Sequence, residues 1–286
     1  MVEEGKGALC RRLKTAQILR QRVTTKMMSV LESTAVPVAE SESDYWQRSR
    51  QPLASLFFVL PLLLIYEGGI LWLGPDAIRN GADVWMQQLL QLLGFGGYLL
   101  LPLLTIGILI GWHYTTRESW RVSGSVLYGM AIESAILAAV LVVIAHLHVQ
   151  LLSIGGGTPG VETLCCDLPA GDAFRWFCTS LVRYFGAGIY EELLFRLILL
   201  SAVIGLIALI GASRKAQLIG GVVLTSLIFS AAHYVGPHGD SLEMYTFVFR
   251  GVAGGFFAIL FVTRGFGIAA GTHALYDVFV GMPSTS

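Results

Sequence analysis

Charge is what this sequence has least of. Of its 286 residues, only 13% are Asp, Glu, Lys or Arg, about half the share typical of soluble domains. That scarcity argues against one or two ordinary soluble domains, which the length alone would allow. Net charge is missing too. Nineteen basic residues meet nineteen acidic ones, so the total implies no polyanionic partner and no nucleic acid. The four cysteines, Cys10, Cys165, Cys166 and Cys178, lack zinc-site spacing. Adjacent Cys165 and Cys166 would strain to bridge each other, and all four read as ordinary thiols. Also lacking are internal repeats and an early apolar run. The first such run begins only near Leu53, too far in for the apolar core of a secretory signal peptide.

What the chain has instead is apolar length. Hydrophobic residues make up 55% and the mean hydropathy is +0.68, with several windows reaching the roughly 20 residues that a hydrocarbon core demands. The fold class that follows is all-α, a polytopic transmembrane helical bundle. Hydropathy marks about seven spans, near 52–73, 92–112, 124–150, 173–210, 217–235, 244–263 and 266–282. The fourth is too long for one straight crossing, and Gly186 and Gly188 are expected to divide it into a lead-in segment and a spanning helix beginning near Tyr190. Residues 81–91, GADVWMQQLLQ, read as a short amphipathic helix at an interface.

Residues 1–50 are polar, with basic residues crowded into the first 26 positions and an acidic AESESD patch. They read as a mostly disordered cytoplasmic tail. Three N-terminal spans occupy 51–169, a C-terminal helical core occupies 170–282, and 283–286 form a short tail. Arg117 and Arg121, Arg214 and Lys215, and Arg264 fall in alternate loops. Cytoplasmic retention of basic loops predicts the N-terminus inside; the expected location is the cytoplasmic membrane of a bacterium, with the lipid bilayer as a partner.

Three stretches of the C-terminal half carry ionisable side chains into these apolar spans: Glu191, Glu192 and Arg196 in YEELLFR, Phe229 and His233 in FSAAH, and His273 and Asp277 in GTHALYD. Such groups are costly inside a bilayer and mark function by default. Glu192 and Arg196 are four apart, so on a helix they share a face and can pair. Glu191, turned about 100° away, is left free. His273 and Asp277 have the same spacing and could form a carboxylate–imidazole pair that fixes the ring's tautomer. Taken singly, each pair could instead be structural glue between helices. Together they offer a carboxylate base, two imidazoles and a second carboxylate. That set can activate water and stabilise an oxyanion. It could equally hold a first-row metal, with His233, His273, Glu191 and Asp277 as ligands to Zn2+.

At these residues the chain resembles the CPBP group of intramembrane proteases, named for CAAX proteases and bacteriocin-processing enzymes and also called the Abi family. Its hallmarks are EExxxR, FxxxH and HxxxN or HxxxD on successive C-terminal helices. They are met here by Glu191, Glu192 and Arg196, by Phe229 and His233, and by His273 and Asp277, over roughly residues 170–282. The resemblance implies an active site between the C-terminal helices and an endopeptidase acting on protein or peptide substrates at the membrane. It implies Glu191 as general base sharing a water with His233, and Glu192 with Arg196 as a supporting pair. His273 with Asp277 would bind the scissile carbonyl or its oxyanion. The Ras-converting CAAX endopeptidases have asparagine where this chain has Asp277. An ionised Asp cannot donate to an oxyanion, so Asp277 must be protonated, orient His273 as a cation, or ligate a metal.

Two other readings stay open. One is a proton- or ion-coupled transporter, with Glu67, Glu133, Glu191 and the histidines as a relay. The other is a non-catalytic immunity or binding member of the same family. Glu67 and Glu133 could be helix glue or line the same cavity, and Arg250 could snorkel outward or meet a glutamate. Gly251–Gly255 and Gly267–Gly271 have the spacing of close helix packing. His113, His146, His148 and His238 are accounted for by span ends and a loop.

Overall fold

A computed structural model describes residues 42–74, 79–97, 99–153, 170–236 and 239–281. All regular elements among them are helices. In chain order they are α1 (Glu42–Ser49), α2 (Pro52–Leu73), α3 (Gly81–Leu92), α4 (Leu100–Thr116) and α5 (Gly124–Ser153). Then come α6 (Ala170–Gly186), α7 (Ser201–Leu209), α8 (Arg214–Ala232), α9 (Met244–Arg264) and α10 (Phe266–Gly281).

Five helical runs are long and apolar enough to cross a membrane: Pro52–Leu73, Gly124–Leu151, Phe174–Leu209, Arg214–Ala232 and Met244–Arg264. This is a helical membrane bundle, although two of the seven expected spans differ. α4 is apolar but only 17 residues long. α10 has 16 residues, and every residue from Phe266 to Ala274 is buried. An apolar run on the last helix therefore meets protein rather than lipid. α10 packs against α2, α5, α6 and α9, and Phe266 and Ala270 join Val59, Tyr66, Tyr190 and Leu193 in the main apolar core.

Close approach to α10 is bought with small residues. A Cβ at Gly267 would stand 2.8 Å from the Ser55 backbone, and one at Gly271 would stand 2.5 Å from the Phe58 ring. The other expected glycine pair does not behave this way. Gly251 faces open space, and it is Gly254 whose Cβ would press on Ser226 and Phe229. The turn from α9 into α10 is a single residue, Gly265, at φ +88°. Arg264 before it and Phe266 after it are both buried. The connection is thus sunk inside the bundle, which brings His273 to depth within only nine residues of Arg264.

The long fourth run is not divided at Gly186 and Gly188. It continues as one helix from Phe174 to Leu209, whose ladder widens to π-helical turns over Ala187–Glu191 and Leu193–Leu200. Each π turn accommodates an extra residue and is commonly a feature of functional sites.

Arg264 is not a loop charge. Its guanidinium grips Glu133 on α5 at 2.5 and 2.7 Å, donates to Ser49 at 2.9 Å and stacks 3.5 Å above the Trp46 ring. Tyr45 donates to the same carboxylate at 2.6 Å, and burial together with that carboxylate pushes the Tyr45 hydroxyl up. The end of the stretch expected as a disordered tail is therefore the ordered helix α1. Residues 1–41, where the rest of that expectation falls, lie outside the described residues, as do Cys10, Cys165, Cys166 and His238. From Tyr45 onward the chain forms one compact unit.

The amphipathic helix expected at 81–91 is α3. Asn80 caps it, its side-chain oxygen accepting from the Ala82 amide at 2.8 Å. Asp83 on its inner face accepts from Tyr66 at 2.6 Å and from Arg79 at 2.9 Å. α3 is thereby tied to α2 and to the site described next.

Candidate active site

The π turns decide where the two adjacent glutamates go. Glu192 lies between the two π-helical stretches and is fully buried. Its Oε2 stands 3.2 Å from Arg196 Nε, as the four-residue spacing requires. Arg196 is only 2% exposed. Beyond the carboxylate it donates to the Gly254 carbonyl at 3.3 Å and lies 4.2 Å above the Phe229 ring. Burying one charge without the other would cost several kcal/mol, and a cation over an aromatic face adds further attraction. Phe229 of the second motif is thus a platform for Arg196.

Glu192 has a second partner that its own stretch of sequence does not reveal. Its Oε1 is 2.7 Å from His273 Nδ1. An ionised carboxylate only accepts, so His273 donates from Nδ1 and turns Nε2 toward the site. The ring is also stacked on Phe257, with centroids 4.4 Å apart and planes 12° from parallel. The expected His273–Asp277 pair is displaced accordingly. Asp277 Oδ2 is 3.8 Å from Nε2, too long for a hydrogen bond, and Glu192 fixes the ring instead.

His233, the cap residue at the end of α8, is held by the same logic. Its Nδ1 lies 2.8 Å from the Phe229 carbonyl. A carbonyl can only accept, so Nδ1 carries a proton and Nε2 is the free nitrogen. The two imidazoles, from separate helices, present the same atom to a common space.

Glu191 faces that space. Its Oε1 accepts from Asn80 Nδ2 at 2.8 Å. Its Oε2 lies 3.9 Å from His233 Nε2 and 3.8 Å from His273 Nε2, is buried, and has no hydrogen-bond partner among the described residues. Separations beyond 3.5 Å between polar atoms invite a bridging water. Glu191, His233 and Asp277 line a cavity of about 470 Å³, together with Asn80, Arg183 and Tyr184.

All seven motif residues from Glu191 to Asp277 therefore converge. Among the described residues, however, no three His, Cys, Asp or Glu side chains are spaced to hold a metal ion. The expected zinc ligands His233, His273, Glu191 and Asp277 do not form a ready ligand set.

Asn80 escaped sequence reading. RNGAD carries a helix-start signature, but nothing in it says that the amide's other end reaches a helix 111 residues away. The remaining intramembrane charges lie elsewhere. Glu67 accepts from the Tyr190 hydroxyl at 2.5 Å, Glu133 serves Arg264, and Arg250 pairs with Asp240 rather than with a glutamate. His113, in the last turn of α4, is fully buried and packs against Trp120. His146 and His148 bond to backbone carbonyls.

Among known families, residues 173–279 match the one described as Rce1-like, type II CAAX prenyl endopeptidase Rce1-like. It is the CAAX-protease group that the three motifs resemble, and the match spans the helices that carry all of them. No curated protein and no solved structure matches the chain.

Proposed function

We propose that this Rce1-like membrane bundle is an intramembrane endopeptidase, hydrolysing a peptide bond of a membrane-associated substrate with a water activated by Glu191 and His233. The observation that carries the reading is Glu191 Oε2, buried, unpartnered and aimed between two imidazole Nε2 atoms.

A water held between Oε2 and His233 Nε2 donates to both. As it attacks the scissile carbonyl, Glu191 takes its proton and a C–O bond forms. The carbonyl becomes an oxyanion, and protonated His273 donates to it from Nε2. Collapse breaks the C–N bond, and the proton on Glu191 passes to the departing amine. Placing the acceptor and donor before reaction is where most of the rate acceleration would arise.

The other residues hold this arrangement. Asn80 occupies Oε1 and so fixes which carboxylate oxygen faces the water. Glu192 sets the His273 tautomer and is itself neutralised by Arg196. Asp277 flanks His273 Nε2, where its charge stabilises the ring as a cation, the second of the three roles open to an aspartate. No step is routed through a metal.

The family description makes a prenylated CAAX peptide the natural probe. Purified protein in liposomes would be given an internally quenched farnesylated CAAX peptide. Glu191→Gln, which keeps the shape and removes the base, should lower turnover by about 10²–10⁴-fold, the usual worth of a general base. Cleavage at the wild-type rate would sink the role given to Glu191.

A further inference from the structure

A second cavity, about 490 Å³ in volume, opens between helices at the end of the bundle remote from His233. Its walls are half-buried and largely apolar, drawn from four helical segments. Trp112 comes from the end of α4, Leu197 from the π-helical stretch, Leu218 from the first turns of α8, and Phe261 from the end of α9. Two arginines also line it. Arg50 precedes the membrane-length α2, and Arg214 opens the membrane-length α8.

The polar side chains lining the groove are those of Arg50, Arg214 and Ser201. Arg50 reaches the Val262 carbonyl at 3.5 Å and Arg214 reaches the Gln217 side-chain oxygen at 3.3 Å, both neutral acceptors. Among the described residues that line it, none is acidic. Two positive charges therefore stand at the termini of spanning helices with no carboxylate among the described residues lining the groove they share. Trp112 lies nearby, the residue type that favours the headgroup level of a bilayer. Leu206 and Leu209 at the end of α7 and Ile219 in α8 are exposed apolar side chains.

We propose that this groove is a binding site for an anionic phospholipid, with its phosphate between Arg50 and Arg214 and an acyl chain along Leu197, Leu218 and Phe261. Basic pockets between transmembrane helices take anionic headgroups in this way. The opening turn of α8 adds amide dipoles of the favourable sign. A zwitterionic lipid offers the same chains but brings its own cation to the two arginines. A soluble phosphate offers the charge but leaves the apolar wall uncovered. Neither matches both halves of the groove.

The test is native mass spectrometry of the detergent-purified full chain with phosphatidylglycerol or phosphatidylcholine of identical acyl chains. The expected result is preferential retention of phosphatidylglycerol. The Arg50→Gln/Arg214→Gln protein should bind it roughly thirtyfold more weakly, the equivalent of ~1 kcal/mol for each basic residue at a membrane surface, with phosphatidylcholine binding unchanged. An Arg50→Lys/Arg214→Lys protein keeps the charges and should keep the preference, so the site remains testable if the glutamine protein fails to fold. Equal retention of both lipids overturns the proposal, as does undiminished phosphatidylglycerol binding by the glutamine protein. So does glycerol phosphate binding as tightly as the lipid, which would make the occupant a soluble anion.

Discussion

Removing the Glu192 carboxylate separates what it does for stability from what it does for chemistry. Glu192→Leu leaves the Arg196 guanidinium buried with only a backbone carbonyl and aromatic faces. Breaking a buried ion pair from one side costs about 3–5 kcal/mol. For a unit of 150–250 residues, each kcal/mol moves the unfolding midpoint by about 2–4 °C, so a fall of roughly 6–20 °C is expected. Arg196→Met should be costly for the mirror-image reason. The double substitution removes both charges, and apolar replacement of a whole buried pair is often neutral or stabilising. Its remaining cost is the His273 Nδ1–H left without an acceptor, about 1–3 kcal/mol. Thermal unfolding of the four proteins in one detergent gives the cycle. The double protein should be more stable than at least one of its parents. Its cleavage of the farnesylated peptide should nevertheless stay at the level of Glu192→Leu, because His273 has lost the group that orients it. Additive losses would refute the mutual neutralisation of Glu192 and Arg196. Recovered activity would refute the hold of Glu192 on His273.

Asn80→Ala should lower kcat about 10–100-fold with KM changed less than about twofold, given about 1.5–3 kcal/mol for a hydrogen bond to a charged group. Steady-state kinetics with an unfolding scan as control decides it, and an unchanged kcat removes Asn80 from the machinery. Gly188→Ala should destabilise by about 1–3 kcal/mol, as overpacking does. The new Cβ would stand 2.7 Å from both the Ala270 carbonyl oxygen and the Ala274 Cβ. An unfolding midpoint equal to wild type contradicts that packing. Protein stripped with a chelator and shown by elemental analysis to hold far less than one metal per chain should keep full activity. Loss restored by added Zn2+ would replace the metal-free reading.

The apolar spans and the ionisable motifs were legible because both are short-range patterns: window hydropathy for one, four-residue spacing for the other. Glu192 and Arg196 pair as spacing requires. His273 and Asp277 have the same spacing but stand 3.8 Å apart at Nε2, and it is Glu192, 81 positions away, that makes the hydrogen bond at Nδ1. Spacing states which contacts are available, and tertiary packing selects among them. Arg264 shows the same limit for topology. A basic residue between two apolar runs reads as a loop charge, yet Glu133, 131 positions earlier, draws it inside. The π turns were hidden because a widened ladder leaves no mark on composition. Gly186 and Gly188 read from the sequence as a break, whereas they serve close packing against Tyr66 and α10. Asn80 was hidden because its cap is local and its second hydrogen bond is not.

The burial of α10 bears on when this protein can become active. His273 lies on a helix whose first nine residues are enclosed by segments made earlier. A nascent chain that ends after His233 but before α10 has Glu191 and His233 but lacks the second imidazole, and Glu192 has no ring to hold. The slot α10 fills exists only after α2, α5, α6 and α9 have assembled. Completion of the candidate site is therefore tied to completion of the bundle.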